Sequence, residues 1–433
     1  MTLNEKIYSM PLKSVFDTSH GRLQEPFFML LRLSIPLTPK EAHGTFFAEH
    51  VYDRKLKSAT PNVILTGRSC IVESKDNGVT WTFVPIPEVE TRILYNCFTT
   101  DEGNHIVQAK PEELTNNALK KTNPQRATLF LFSPDWKLLS VDDSPQALWH
   151  GRASIDQSGD TIMFAEYHAN QSKYLPLYRD DYTKWRPLMK VSRVYRSQDG
   201  GGTWEIVFEA PPELIRHFHT LQADPFLPKT WWLSSGDQSE ESRVWRSNDD
   251  GNTWIDVTHP NPEILLPKTF SSRRQAAFRY TDLIISEDSL IWGADDILGS
   301  SFESSLEFEQ KARAGSRIYR TLKSNPLQIE ELGYVGHPVR SIIDIGPAYL
   351  FITEANRAYY PLKPQVIVLF KDSMDKPIEV ARIDNFKNKK TGFTFSKASK
   401  AALNGRFFSY RDTTDVFNNI RPLVLQWDVE FSS

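Results

Sequence analysis

Three copies of one octet constrain this chain more than any other feature: SKDNGVTW from Ser74 to Trp81, SQDGGGTW from Ser197 to Trp204 and SNDDGNTW from Ser247 to Trp254. Each is preceded by a short apolar strand and followed by another (TFVPI, EIVFE, IDV), which is the context of a β-hairpin with a tight polar turn. The residue types suit such a turn. An Asp carboxylate accepts hydrogen bonds from backbone N–H groups of its own turn, here at Asp76, Asp199 and Asp249. Gly permits a positive φ, and Trp packs between neighbouring sheets.

The strands that lead into the octets also repeat. SRVYRS (192–197) and SRVWRS (242–247) are matched by SRIYRT (316–321), which has no octet after it. More degenerate copies are CIVES (70–74), ATLFLFS (127–133), QVIVLFK (365–371) and PLVLQWD (422–428). Their spacing of roughly 50 to 75 residues suits four-stranded blades with loops of varied length. The expected fold is therefore all-β: a single β-propeller of four-stranded antiparallel blades spanning residues 1–433. Seven lead-in strands imply seven blades, or six if one degenerate match is accidental. The last lead-in strand ends almost at residue 433, so an N-terminal strand, placed near Lys6 to Met10, is expected to complete the final blade and remove an open edge.

Composition narrows the function classes. Apolar residues at 40%, with 11 Trp and 26 Phe, are enough to fill spaces between packed sheets. A net charge of -3 gives no electrostatic preference for nucleic acid or an acidic membrane. The apolar stretch from Phe27 to Ile35 is too short to span a bilayer, so no membrane insertion is expected. The start, MTLNEKIYSMPLKSVFD, lacks a basic segment followed by an apolar run, so a cytoplasmic location is expected, with a signal already removed as the alternative. Cys70 and Cys97 make neither a disulfide framework nor a metal-binding pair.

Blade topology predicts where a site lies. The innermost strand begins, and the second strand ends, on the face opposite the third-to-fourth hairpin that holds each octet. Second strands are read as ending in Glu49, Glu166, Asp237, Asp295 and Glu354. Innermost strands are read as opening with Arg92, His150 and Arg152, Arg216 to His219, Arg279, and His337 with Arg340. Alternation puts His217 and His219 on one face of their strand. The acidic and basic sets are expected to converge on one mouth. Loops 168–190 and 356–364 add Tyr178, Trp185 and Tyr359 as aromatic surfaces for sugar rings. No cofactor is expected outright. A divalent metal on His217-x-His219 is an open alternative.

The octets resemble those of the sialidase-like (BNR, Asp-box repeat) propeller superfamily, which includes glycoside hydrolases and sialidases beside related polysaccharide lyases and non-catalytic proteins. The early segment Leu31-Arg32 to Ile35-Pro36 departs from the Phe-Arg-Ile-Pro signature of sialidases proper. The resemblance implies a carbohydrate-active propeller acting on an oligo- or polysaccharide with acidic sugars. Two of Glu166, Asp237, Asp295 and Glu354 would act as general acid and as base or nucleophile in a hydrolase. His217 or His219 would abstract a proton in a lyase. Arg152, Arg216, Arg279, Arg340 and His150, with the loop aromatics, would bind the substrate. The alternative is a non-catalytic propeller that binds glycan or a protein partner.

Overall fold

The computed structural model describes residues 27–33, 47–66, 70–89, 92–111, 127–145, 149, 151–167, 191–212, 214–236, 241–258, 277–295, 316–335, 338–353, 365–373, 376–382, 400–411 and 423–430. After β1 (Phe27–Leu33) come six four-stranded antiparallel sheets. They are β2 (Phe47–Asp53), β3 (Ser58–Thr66), β4 (Ile71–Ser74) and β5 (Thr82–Val84); then β6 (Arg92–Thr99), β7 (His105–Pro111), β8 (Thr128–Phe132) and β9 (Leu138–Asp142). Next are β10 (Ile155–Ser158), β11 (Thr161–Ala165), β12 (Ser192–Ser197) and β13 (Glu205–Ala210), and β14 (Phe218–Ala223), β15 (Trp231–Ser235), β16 (Val244–Ser247) and β17 (Ile255–Asp256). The last two are β18 (Ile284–Ile285), β19 (Ser289–Gly293), β20 (Arg317–Leu322) and β21 (Asn325–Tyr334), and β22 (Val339–Asp344), β23 (Ala348–Thr353), β24 (Gln365–Phe370) and β25 (Ile378–Arg382). In each sheet, chain order is also spatial order, the signature of propeller blades.

A further sheet joins the two ends of the chain in the order β1, β27 (Leu423–Glu430), β26 (Arg406–Arg411). Phe27 pairs with Glu430 and Leu33 with Val424 in antiparallel register. The N-terminal strand is thus Phe27–Leu33, not the region near Lys6 to Met10, which lies outside the described residues. All the lead-in segments form strands that sit third in their sheets, or between β26 and β1 in this last one. Six four-stranded blades are complete, and the seventh lead-in belongs to a sheet with three strands among the described residues. The fold is an all-β propeller.

The chain divides into two compact units. One comprises residues 1–95, 299–318 and 332–433; the other comprises 96–298 and 319–331. Within the second unit, burial falls from inner to outer strands. Every residue of β11, β14 and β15 is buried, whereas β9 and β13 are largely exposed. Consecutive residues of β15 point to opposite faces. Trp231 packs with Met163, Val194 and Leu221, while Trp232 packs with Phe278, Tyr280 and Trp292. Both indoles are fully buried.

The three octets fold alike. Ser74 Oγ donates to Asp76 Oδ1 (2.8 Å) and accepts from the Gly78 amide (2.8 Å). The Asp76 carboxylate also accepts from the Thr80 amide (2.8 Å) and hydroxyl (2.6 Å). The same four bonds recur around Asp199 and Asp249. The Thr80 hydroxyl and amide hold the Asp76 carboxyl down at about 2.

At each turn, two successive residues take positive φ: Asn77 and Gly78, Gly200 and Gly201, Asp250 and Gly251. The second must be glycine for a further reason. A Cβ on Gly78 would collide with the Phe408 ring of β26, one on Gly201 would lie 2.9 Å from Ile106 Cδ1 of β7, and one on Gly251 would lie 2.8 Å from Met163 Cε of β11. Each turn is therefore seated against a neighbouring sheet. Trp81 meets Phe408 edge-on, and Trp204 packs on the cluster of Phe98, Ile106 and Phe164. In the first unit, His50 Nε2 donates to Asn77 Oδ1 (2.8 Å) and the ring lies 5.1 Å from Phe408. Burial pushes this imidazole down to about 4, against the hydrogen bonds of Asn77 and the Ala401 backbone.

Two predictions follow from these turns. Gly200 has φ 74 with open space around its Cβ position, so Gly200→Ala should cost about 1 kcal/mol from backbone conformation alone. Gly201→Ala adds overpacking against Ile106 and should cost about 3 kcal/mol in urea denaturation. Equal costs would mean that the Ile106 contact does not demand glycine. For His50 the folded pKa is depressed, so its contribution is complete above about 6.5 and is lost as pH falls towards about 4. The loss should reach about 3 kcal/mol in urea midpoints measured across that window. His50→Gln should flatten that part of the pH profile.

Candidate functional site

The functional candidates that lie among the described residues of the second unit gather at the strand ends remote from the octets. In the β14–β17 sheet, Phe218 pairs with Ser235 and Ser234 with Val244, while the octet begins at Ser247, which pairs with Trp231 at the other end. Arg216 and His217 lead into β14, and Arg279 and Tyr280 precede β18. Glu166 and Tyr167 follow β11, Gly236 follows β15, and Asp295 lies just past β19. Ends of successive strands thus supply the set, because antiparallel order returns each second strand to the edge where its first began.

Direct contacts link these residues. His217 Nε2 lies 3.2 Å from His219 Nε2, and His219 Nδ1 lies 3.1 Å from the Tyr280 carbonyl oxygen. The His219 carbonyl accepts from Ser154 Oγ at 2.6 Å, and the Arg216 carbonyl accepts from Ser192 Oγ at 3.2 Å. The Tyr167 ring packs 4.1 Å from that of His217. Gly236 is flanked by His219 and Arg279: an added Cβ would lie 3.0 Å from His219 Cε1 and 3.1 Å from Arg279 Cγ.

Charge in the cluster is balanced in pairs. Arg216 Nε lies 4.0 Å from Glu241 Oε2, with both side chains buried. Arg279 Nε lies 3.7 Å from Asp295 Oδ2, and Arg152 donates to Asp282 Oδ2 at 2.6 Å. The first two separations exceed hydrogen-bond length, so these contacts are ion pairs rather than bidentate clamps. Glu166 is fully buried. Burial pushes the Tyr195 phenol up and the Glu166 charge pushes it further, so this phenol stays protonated. Burial likewise raises Tyr280, offset in part by the Ser234 and Thr220 hydroxyls.

Of the residues expected from the sequence, Arg216, His217, His219, Arg279 and Asp295 are brought together, Glu166 adjoins them through its neighbour Tyr167 and interacts with Tyr195, and Arg152 is tied through Asp282 to the segment that carries Tyr280. Asp237, Glu354, His150, His337, Tyr178, Trp185 and Tyr359 lie outside the described residues. Arg340 is half-buried in β22 of the first unit. Glu49 does not end a second strand as expected. It lies within β2, the first strand of its sheet, because the hairpin to β3 falls at residues 54–57. Among the described residues, no group of three or more His, Cys, Asp or Glu is placed to hold a metal, so the His pair gains no third ligand there. No helix of the described residues is long and apolar enough to cross a membrane.

Sequence reasoning missed Glu241, Tyr167, Gly236 and Asp282. A signal for Glu241 was available: third strands begin at the same edge where second strands end, and Glu241 directly precedes the SRVWRS lead-in.

This arrangement defines a propeller with a buried imidazole, guanidinium and carboxylate cluster at its strand ends. No protein-family model matches the sequence, and no curated protein matches it. Among solved structures it is similar to a GH74 xyloglucanase from Xanthomonas campestris, with 10% identity, 93% of this chain and 56% of that chain covered, and a TM-score of 0.52. An ancestral GH74 enzyme gives 13% identity, 91% and 47% coverage, and a TM-score of 0.51. This chain thus spans about half the length of those two enzymes. An oligogalacturonate lyase in complex with manganese gives 12% identity, 99% coverage of each chain and a TM-score of 0.49. At such identities the likeness to the two GH74 enzymes is one of fold.

The Arg216–Glu241 pair generates a test. Glu241→Ala leaves a buried guanidinium without its nearest described anion and should cost about 3 kcal/mol in urea denaturation. Adding Arg216→Met should restore most of that loss, since removing both charges removes the desolvation cost. A double variant no more stable than the single one would show that the two side chains are not energetically coupled.

Proposed function

We propose that this chain is a carbohydrate-active propeller, one domain of the Asp-box kind, that acts on a glycan carrying acidic sugars. The observation that carries the reading is the packing of the His217–His219 pair beside Arg216 and Arg279 at the strand ends. A guanidinium is the side chain best suited to hold a sugar carboxylate. Such a carboxylate acidifies the C–H bond next to it. An imidazole at that carbon takes the proton, and the guanidinium stabilises the developing charge. Loss of the glycosidic oxygen from the neighbouring carbon then gives an unsaturated sugar, so elimination fits this set of residues. Arg279 and Tyr167 are its partly exposed members, and substrate approaches over them in this reading. Hydrolysis would instead draw on Glu166 and Asp295, with Asp237 and Glu354 as further candidates.

A second reading is favoured by one observation. Glu241 and Asp295 both sit in ion pairs, which suits a propeller that binds acidic glycan without turning it over.

Incubation with polyuronates and with sialylated glycans separates these readings. Elimination predicts rising ultraviolet absorbance from unsaturated product, with His217→Ala reducing the rate by about 10²-fold or more. New reducing ends without that absorbance would replace elimination by hydrolysis. Retained binding with neither signal would favour the binding propeller, and absence of binding to any acidic glycan would overturn the proposal.

A further inference from the structure

We propose that His219 is a positioning residue that fixes the tautomer of His217, making His217 Nδ1 the basic atom of the pair. The assignment of a base rests on the elimination reading above, whereas the tautomer itself is a separate physical claim. Its starting point is the Tyr280 carbonyl, which can only accept. His219 Nδ1, 3.1 Å away, therefore carries a proton. In a neutral imidazole the other nitrogen then presents a lone pair, here Nε2. That lone pair faces His217 Nε2 at 3.2 Å, so His217 donates from Nε2. Two N–H groups could not face each other at that distance. By the same one-donor, one-acceptor rule, the lone pair of neutral His217 is at Nδ1.

Several groups hold this order in place. Ser154 Oγ anchors the His219 backbone carbonyl at 2.6 Å, and Gly236 lies so close to the ring that a Cβ would press on Cε1 at 3.0 Å. The Arg279 stem flanks the same glycine from the other side, with Cγ 3.1 Å from the Cβ position. Tyr167 packs on His217 from another side at 4.1 Å. The chain of bonds from Tyr280 through His219 to His217 aligns each donor with the next acceptor and leaves the lone pair of His217 at Nδ1.

His217 Nδ1 is buried in this structure, and with the Tyr167 ring displaced by substrate it takes the proton beside the sugar carboxylate. The electrons of the broken C–H bond form the new double bond. The glycosidic oxygen leaves with its bonding pair and takes a proton from water, and His217 later returns its own proton to solvent. His219 touches no reacting atom; it accepts from the imidazolium of His217 through Nε2.

Two substitutions at His219 dissect the role. A Gln places a carbonyl oxygen near the position of Nε2 and keeps the acceptor for His217. An Asn places an amide near Nδ1, keeping a donor to Tyr280 but no acceptor for His217. With the full chain labelled with ¹⁵N-histidine, NMR should show Nε2–H at His217 and Nδ1–H at His219 in the unsubstituted protein. His219→Gln should preserve the His217 signal and keep elimination within about tenfold. His219→Asn should lose the fixed His217 tautomer and about 10²-fold in kcat, with KM little changed. An Nδ1–H signal at His217 in the unsubstituted protein, or Gln and Asn variants that behave alike, would overturn the assignment. Should the Asn variant fail to fold by circular dichroism, the NMR spectra of the unsubstituted protein and the Gln variant decide. Absence of any elimination by the unsubstituted protein would sink the base role of His217 while leaving the tautomer to the spectra.

Discussion

Burial of one sheet on both of its faces is the constraint on which the second unit depends. Trp231 and Trp232 are adjacent in β15 and fully buried, yet they belong to different apolar clusters. Alternation along a strand makes this possible, and it packs the inner strands β14 and β15 on both faces, whereas Ile255 of the outer strand β17 is exposed. Truncating one such indole costs about 3–5 kcal/mol by cavity formation, comparable to a large part of a domain's stability. The buried polar residues of these inner strands are hydrogen-bonded, as Thr220 is to the Ser234 hydroxyl at 2.7 Å. The paired Arg, Glu and Asp side chains of the candidate site lie at or just beyond strand ends.

That placement sets the character of the candidate site. Arg216, His217, Arg279, Glu241 and Asp295 cluster where strands begin and end, on a rigid apolar stack. Their ionised groups sit in low exposure, so each guanidinium there has a carboxylate close by. The His219 ring is oriented by the Tyr280 carbonyl and by the space kept open at Gly236, while the Ser154 hydroxyl anchors the His219 backbone carbonyl. A site held by main-chain atoms and a glycine is pre-organised by the fold itself.

Much of the fold was legible in the sequence because its signals are local. The octets carry a Ser, Asp, Gly and Thr whose hydrogen bonds close within five residues, and the SRVYRS-type strands declare themselves by alternation. The ends of first and second strands, and with them Glu166, Arg216, His219, Arg279 and Asp295, followed from topology. Non-local facts were hidden. Nothing in the octets says which N-terminal segment pairs with β27, since strand pairing is written in register across some 400 residues. Glu49 was misplaced because an acidic strand end reads the same in a first or a second strand. Glu241 precedes a third strand rather than ending a second one, and Asp282 is marked only by its ion pair with Arg152, 130 residues away in the chain. The tautomer of His217 depends on a carbonyl 61 residues beyond its neighbour His219 and has no sequence signature at all.

The glycines seated on Phe408, Ile106 and Met163 carry a consequence for how such a chain can be rebuilt. Each turn fits a side chain that another sheet provides, so the heritable module is offset from the visible blade. A blade transplanted alone would bring its turn but leave behind the surface moulded to receive it. Recombination between such chains should succeed when the crossover keeps a turn together with the second strand of the sheet it rests on, and fail when it cuts between them.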